Sequence, residues 1–281
     1  MADNMTKETE YDNYSILMSL YDKEKPGHLR EALDSIFSQT VKSDDVVLVE
    51  DGTLNEGLEA VVGEYERSHP ELRVVRFAEN RGLGHALNDG IRECRHEIVA
   101  RMDTDDIAKP CRMERQLEVL RQHPEYGMVS SWIDEFIEDK NHVVSVRRLP
   151  EMPDEVCSYA KKRCPVNHPA VMYRKSEVTA VGGYQTKYFP EDYFLWIKML
   201  MNGCRVYNIQ ESLLWFRYNP STFARRGGWK YACDEVITQA NIHRLGFTSL
   251  GRFLANVAIR FTVRIVPNSV RMLLYTKMLR K

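Results

Sequence analysis

The chain lacks any uninterrupted apolar run approaching the ~20 residues needed to cross a bilayer. Its opening residues, Met1 to Asn13, also lack the basic start and apolar stretch of a signal peptide. The expectation is an active domain that stays in the cytoplasm. No Cys-x-x-Cys pair occurs among the six cysteines, Cys94, Cys111, Cys157, Cys164, Cys204 and Cys233, which argues against a zinc site and a disulfide framework and for reduced thiols. A net charge of -1 supplies no general attraction to nucleic acid, so no nucleic-acid partner is expected. Internal repeats and low-complexity linkers are absent. So is acidic charge after Glu235, and the end of the chain is purely basic through Arg244, Arg252, Arg260, Arg264, Arg271, Lys277, Arg280 and Lys281.

What is present is an alternation of short apolar runs and helical periodicity, the pattern of a parallel α/β sheet. Ile16 to Leu20 reads as a strand, and Leu29, Leu33, Ile36 and Phe37 then share one helical face. Val46 to Val49 is a β-branched run suited to a strand buried on both faces, ending in Glu50-Asp51-Gly52-Thr53. A helix over Leu58 to Ser68 and a strand over Val74 to Phe77 lead to the turn Asn80-Arg81-Gly82-Leu83-Gly84. A helix carrying Leu83, Leu87, Ile91 and Cys94 follows, then a strand over Glu97 to Met102 that ends in Asp103-Thr104-Asp105-Asp106. Pro110 is expected to open the next helix. Beyond Gly127 come short strands at Met128 to Ile133 and Val143 to Arg148, and a helix over Tyr193 to Asn202.

Ligands of open α/β sheets collect beyond the carboxyl ends of the strands, and three polar clusters fall at such ends. Asp103, Asp105 and Asp106 repel one another at close range, a cost that a hard cation relieves; Mg2+ and Mn2+ typically take one or two carboxylates plus substrate phosphates. The alternative is a set of solvated turn or cap aspartates. Glu50-Asp51 suits acceptance of hydrogen bonds from a base or ribose, or a simple turn and cap. Glu191-Asp192 stands at a helix start, where a cap and a general base are compatible roles.

Together these residues resemble the inverting family 2 glycosyltransferases of the GT-A fold, a Rossmann-like mixed, mostly parallel sheet flanked by helices. The similarity begins with Tyr14-Ser-Ile-Leu-Met-Ser-Leu-Tyr21 and Leu33-Asp-Ser-Ile-Phe-Ser-Gln-Thr40. It continues through Glu50-Asp-Gly-Thr53, Asn80-Arg-Gly-Leu83, Asp103-Thr-Asp-Asp106 and Glu191-Asp192, in the family's order. Phe223-Ala-Arg-Arg-Gly-Gly-Trp-Lys230 resembles a segment of bacterial members that build capsule or exopolysaccharide.

The resemblance implies a metal-dependent enzyme that moves a sugar from a nucleotide-diphosphate donor, UDP-linked by preference, to a glycan or lipid-linked acceptor. Ser19 and Tyr21 would meet the base, Glu50 its edge, Arg81 the donor, Asp103 the ribose and Asp105 the Mn2+ or Mg2+ on the diphosphate. Asp192 matches the catalytic base, with Glu191 and His168 on the acceptor side. Glu50 stands where the family usually has Asp. Phe216-Arg-Tyr-Asn-Pro-Ser221 offers no late histidine to the metal. Arg225 and Arg226 suit closure over a diphosphate, or form a solvated basic loop. His168, within Asn167-His168-Pro169, stands where it could face the acceptor, but a lone histidine is more often structural.

The division expected is a polar extension over 1–13, a catalytic domain over 14–230 and a helical segment over 231–281. The nucleotide-binding half of the catalytic domain is expected over 14–126 and the acceptor half over 127–230. In the last segment Leu250, Phe253, Leu254, Val257, Ala258, Phe261 and Ile265 share helical spacing, while Arg252, Asn256, Arg260 and Arg264 form a stripe. Peripheral contact of residues 250–281 with an anionic membrane is one expectation, and a helix docked on the domain with its polar face wet is the other. Two rival functions remain open. A nucleotidyltransferase would normally carry a glycine-rich basic loop after the first strand, which Tyr21-Asp-Lys-Glu-Lys-Pro is not. A non-catalytic nucleotide-sugar-binding scaffold would be favoured by loss of the base.

Overall fold

In the first strand, β1 (Ser15–Leu20), successive side chains enter opposite faces of the sheet, and both faces are apolar. Ile16, Met18 and Leu20 join one core cluster with residues of α1 (Pro26–Phe37), α2 (Glu56–Ser68) and α4 (Arg112–Gln122). Leu17 joins the other with α3 (Leu83–Glu93) and α7 (Glu191–Met201). This is why the run is continuous rather than alternating. Complete burial of each such Leu or Ile contributes about 1.5–3 kcal/mol. The structure, a computed structural model, describes residues 13–186, 190–218 and 228–266 of the 281-residue chain.

Around β1 lie β2 (Asp45–Glu50), β3 (Leu72–Arg76) and β4 (Ile98–Asp103), the four strands parallel to one another. The second half is mixed: β5 (Ile107–Ala108), β6 (Tyr126–Phe136), β7 (Val143–Arg147), β8 (Met172–Arg174) and β9 (Arg205–Arg217). The nine-stranded sheet runs β3-β2-β1-β4-β8-β6-β9-β5, with β7 paired to β6. Helices α5 (Pro153–Ala160) and α6 (Lys175–Ala180) fill the second half. The fold is the mixed α/β architecture expected.

Glycine is required where chain segments crowd. Gly90 of α3 faces Leu17 and Val49, which an added methyl would strike, so the helix lies close on the sheet. Gly52, at φ 95°, leaves no room for a Cβ against the backbone nitrogen of Asn80, 2.7 Å away.

Two helices close the described chain, α8 (Trp229–Arg244) and α9 (Leu250–Ile265). The second is capped by Ser249, whose hydroxyl oxygen accepts the Arg252 N–H at 3.3 Å. The docked face of α9 takes Asn256, Arg260 and Arg264 of the polar stripe together with Phe253 and Val257, both half-buried and the former stacked on His243, while Arg252 stays exposed. Asn256 is 6% exposed, and Arg260 and Arg264 both pair with Glu235 of α8. The helix is docked on the domain, but the expectation of a wet polar face is corrected for Asn256, Arg260 and Arg264, because the acidic side chain within reach draws two arginines inward; Arg252 alone of the stripe is exposed. No helix among the described residues is long and apolar enough to cross a membrane.

Candidate active site

The parallel register brings three sequence-distant residues side by side. Ser19 lies opposite Asp103, and Leu20 lies opposite Glu50, so the carboxyl ends of β1, β2 and β4 form one rim. Thr104 ties the rim by donating its hydroxyl to the Ser19 carbonyl at 3.3 Å. Tyr21 follows at the surface, 46% exposed. Glu50 is buried, paired through Oε2 with Arg76 Nε at 3.2 Å, while its Oε1 has no hydrogen-bond partner. Burial raises its pKa and Arg76 opposes the rise. A buried acceptor left open at a strand end is suited to a donor arriving with a ligand.

Asp51 has a structural task. Its carboxylate accepts the backbone N–H groups of Arg81 and Gly82 at 2.7 and 2.9 Å, and its carbonyl accepts from Asn80 at 3.0 Å. The 80–82 turn is thus pinned to the end of β2. The Arg81 guanidinium is turned toward Asp89 at 2.9 Å and lies over the Phe77 ring.

Asp103, Asp105 and Asp106 converge, with one carboxylate oxygen from each lying within 4.8 Å of the others. Burial first, then the charges of Asp103 and Glu24, push Asp105 up to about 7. Asp106 is fully buried, which pushes its carboxyl well above the usual range, and its Oδ2 has no partner. An all-oxygen set with crowded negative charge and an orphaned buried oxygen fits a hard divalent cation.

The cluster is held from two sides. Arg101, 1% exposed inside β4, grips Asp103 through both terminal nitrogens, with Nη1 at 2.7 Å from Oδ2. From the end of β9, Arg217 donates its backbone N–H to Asp106 Oδ1 at 2.9 Å and its Nε–H to the Asp105 carbonyl at 3.0 Å. A further ion pair joins Arg217 to Glu31.

On the other half of the sheet, Glu191 and Asp192 occupy the first turn of α7, where the helix dipole favours negative charge. Asp192 Oδ1 accepts the Tyr193 N–H at 2.7 Å, and Cys164 Sγ lies 3.9 Å from Oδ2. Burial raises both carboxyl groups, opposed in each case by the charge of Arg101. The same guanidinium lowers Asp105 and Asp106. The charge of one buried cation therefore reaches acidic groups drawn from both 103–106 and 191–192. His168 sits beside them, its Nε2 at 2.9 Å from the Tyr184 hydroxyl and its ring edge-on to Trp196. Burial, then the Arg101 charge, holds His168 well below the usual range, so it is neutral.

Arg225 and Arg226 lie outside the described residues. Three groups that sequence reasoning passed over are Arg101, Arg217 and Cys164. A signal existed for Arg101: a lone charge within Ile98-Val-Ala-Arg-Met-Asp103, two residues from Asp103 and hence on the same strand face. Arg217 and Cys164 act through tertiary contacts that carry no local pattern.

Known proteins are similar along nearly the whole chain. A UDP-Gal:alpha-D-GlcNAc-diphosphoundecaprenol beta-1,3-galactosyltransferase of Escherichia coli is 37% identical over 268 residues, 95% of this chain and 97% of that protein. The amylovoran biosynthesis glycosyltransferase AmsE of Erwinia amylovora is 37% identical over 264 residues, covering 94% of this chain and 98% of AmsE. Among solved structures, S. aureus TarS 1-349 with UDP-GlcNAc superposes with a TM-score of 0.67 at 15% identity, covering 95% of this chain and 76% of that one. The Pyrobaculum calidifontis mannosyltransferase PcManGT with GDP-Man and Mn2+ gives 0.64 at 20% identity, covering 88% and 68%. At those identities the likeness shows the GT-A architecture alone. Residues 15–178 match the family described as Glycosyl transferase family 2, and with that match, the two close relatives and the shared fold, the chain belongs to glycosyl transferase family 2.

Proposed function

We propose that the protein transfers a sugar, with inversion, from a UDP-sugar to a lipid-linked glycan acceptor at the cytoplasmic face of a membrane, in cell-surface polysaccharide assembly. The observation that carries this reading is the oxygen cluster of Asp103, Asp105 and Asp106 at the strand ends, held by Arg101 and Arg217, with the acidic pair opening α7 within reach of the Arg101 charge. A donor held at the first set and an acceptor at the second would meet over one buried guanidinium. The E. coli relative, named for UDP-galactose and a diphosphoundecaprenol-linked acceptor, makes these the first substrates to try.

In this reading Ser19 and Tyr21 border the nucleoside, and the open Oε1 of Glu50 accepts an N–H from the base edge. Asp105, with Asp103 beside it, would hold Mn2+ or Mg2+, which when bound neutralises the diphosphate charge. Arg101 holds the Asp103 carboxylate, and Arg217 holds the Asp105 carbonyl and the Asp106 carboxylate, before substrate arrives, so little reorganisation is needed during reaction. Asp192 accepts the proton of the acceptor hydroxyl as its oxygen bonds to the anomeric carbon. The bond from that carbon to the diphosphate oxygen breaks, and the nucleoside diphosphate leaves. A single displacement inverts the centre. Burial makes Asp192 a stronger base than a wet carboxylate. Glu191, one position earlier in the same turn, is placed to orient the acceptor. Arg81 and His168 serve by shaping the site, one through Asp89 and the other through Tyr184.

The test is a panel of UDP-sugars offered with Mn2+ and an undecaprenyl-diphosphate-linked GlcNAc acceptor. Transfer with inverted anomeric configuration is expected; absence of transfer from every donor, with the folded chain in hand, rejects the reading.

A further inference from the structure

The C-terminal helix turns Asn256, Arg260 and Arg264 toward the protein, beside the half-buried Phe253 and Val257, and leaves much of its aliphatic surface in water. Asn256 Nδ2 donates to the Lys161 carbonyl and to Gln239 Oε1, each at 2.9 Å. Arg260 pairs with Glu235 and donates to the Lys162 carbonyl at 2.6 Å, and Arg264 reaches Glu235 at 3.1 Å. On the opposite side Leu250, Leu254, Ala255, Ala258, Ile259 and Ile265 are all exposed, Ile259 to 65%. At the edge of this face stands Trp229, 71% exposed, with its ring edge-on to Phe261. A contiguous apolar stripe of this kind in water marks a surface that meets something apolar.

We propose that this face of α9 seats the enzyme on an anionic lipid surface, its aliphatic side chains entering the headgroup boundary. The arginine stripe serves as the clamp to the catalytic domain. Charge complementarity selects this occupant. Glu235, the last acidic residue of the chain, is already consumed by Arg260 and Arg264, and the sequence beyond 266 adds Arg271, Lys277, Arg280 and Lys281 with no acidic residue. An anionic leaflet attracts such a segment, whereas a second copy of the same face brings the same cations against themselves. The seat is rigidly connected to the acceptor side of the site. Lys161 and Lys162, to which the clamp bonds, precede Cys164, and Cys164 contacts Asp192. Ile242 of α8 packs with Tyr193, Phe194 and Ile197 of α7, the helix whose first turn holds Asp192. A lipid-linked acceptor would thereby be delivered toward the base. The inference deepens the reading of a lipid-linked acceptor and rests on it for that last step only.

The experiment is flotation of the full chain with phosphatidylcholine vesicles, with and without phosphatidylglycerol, alongside transfer to a vesicle-borne acceptor and to a short-chain water-soluble acceptor. The paired variant Leu254→Glu/Ile259→Glu is expected to lose roughly tenfold or more in vesicle binding and in transfer to the vesicle acceptor. Transfer to the soluble acceptor and the Tm should stay at the wild-type level, since both positions are exposed. The milder Leu254→Ser/Ile259→Ser pair should fall between, and it substitutes should the glutamates impair folding. Vesicle binding unchanged in both pairs, or wild-type chain that fails to float with anionic vesicles, overturns the proposal. So does a wild-type dimer that the paired variant converts to monomer without any loss of flotation. Flotation needs no turnover, so a chain that floats but transfers nothing would leave this proposal standing and sink the proposed activity instead.

Discussion

Arg101 and Asp103 stand two residues apart on one face of β4, and the buried guanidinium holds the carboxylate with both of its terminal nitrogens. The pair fixes the geometry of the strand end. The guanidinium's positive charge also opposes the rise that burial imposes on the carboxyl groups of Asp105, Asp106, Glu191 and Asp192.

Replacing Arg101 by Met therefore has two expected consequences. Removing the buried guanidinium leaves Asp103, about a third exposed, without its partner and is expected to lower the denaturation midpoint. The neighbouring carboxyl groups lose a stabilising charge, so the acid limb of the kcat/KM profile moves to higher pH. A stable variant with an unmoved acid limb would contradict the arrangement.

Asp192→Asn should lower kcat by about 10²–10⁴-fold and leave donor affinity, measured by calorimetry, near the wild-type value. The same change should stabilise the protein at neutral pH. The native pKa of Asp192 is raised by burial, so the folded state binds a proton more tightly than the unfolded one. Stability from this group is present at low pH and declines as pH rises from the ordinary carboxylate range through the raised native value. Asparagine removes that decline, and a Tm-against-pH comparison of the two proteins reads it directly, at roughly 2–4 °C per kcal/mol.

Cys164→Ser tests the contact at Asp192 Oδ2. A hydroxyl is a stronger donor than a thiol and favours the ionised carboxylate more. The acid limb of the rate profile should then move down by up to about one pH unit, with some loss of kcat from the weaker base. An upward displacement would show that the two side chains do not meet in solution.

Asp105→Ala should abolish the Mn2+-dependent part of donor binding in calorimetry, and chelation should do the same to the wild-type protein. Arg217→Ala, which frees the Asp105 carbonyl and the Glu31 pair, should weaken the same binding by roughly tenfold through loss of preorganisation. Donor affinity indifferent to metal in the wild-type protein would remove Asp105 from this role.

The parallel half of the fold was legible because each of its strands is a short apolar run ending in polar residues, a pattern written in consecutive positions. Val46 to Val49 announced β2, and the glutamate and aspartates that follow such runs announced the rim. The helix after Pro110 starts at Arg112, because the short strand β5 and its pairing with β9 occupy the preceding residues. β9 itself, with mixed composition and a register that shifts along β6, had no such signature. With it went Arg217. The face of α9 misled for a related reason: periodicity separates a polar from an apolar side, but which side meets the domain depends on what the domain offers.

By itself the amino-acid order determined the alternation of strands and helices and the placement of acidic groups at strand and helix ends, since those follow from local periodicity and local charge. Tertiary structure alone decided that one buried arginine would hold Asp103 with its charge felt at residues 191–192, and that Glu235 would draw Arg260 and Arg264 of the last helix inward, leaving Leu250, Leu254 and Ile259 in solvent. Both depend on through-space electrostatics between residues far apart in the chain, for which no spacing rule exists.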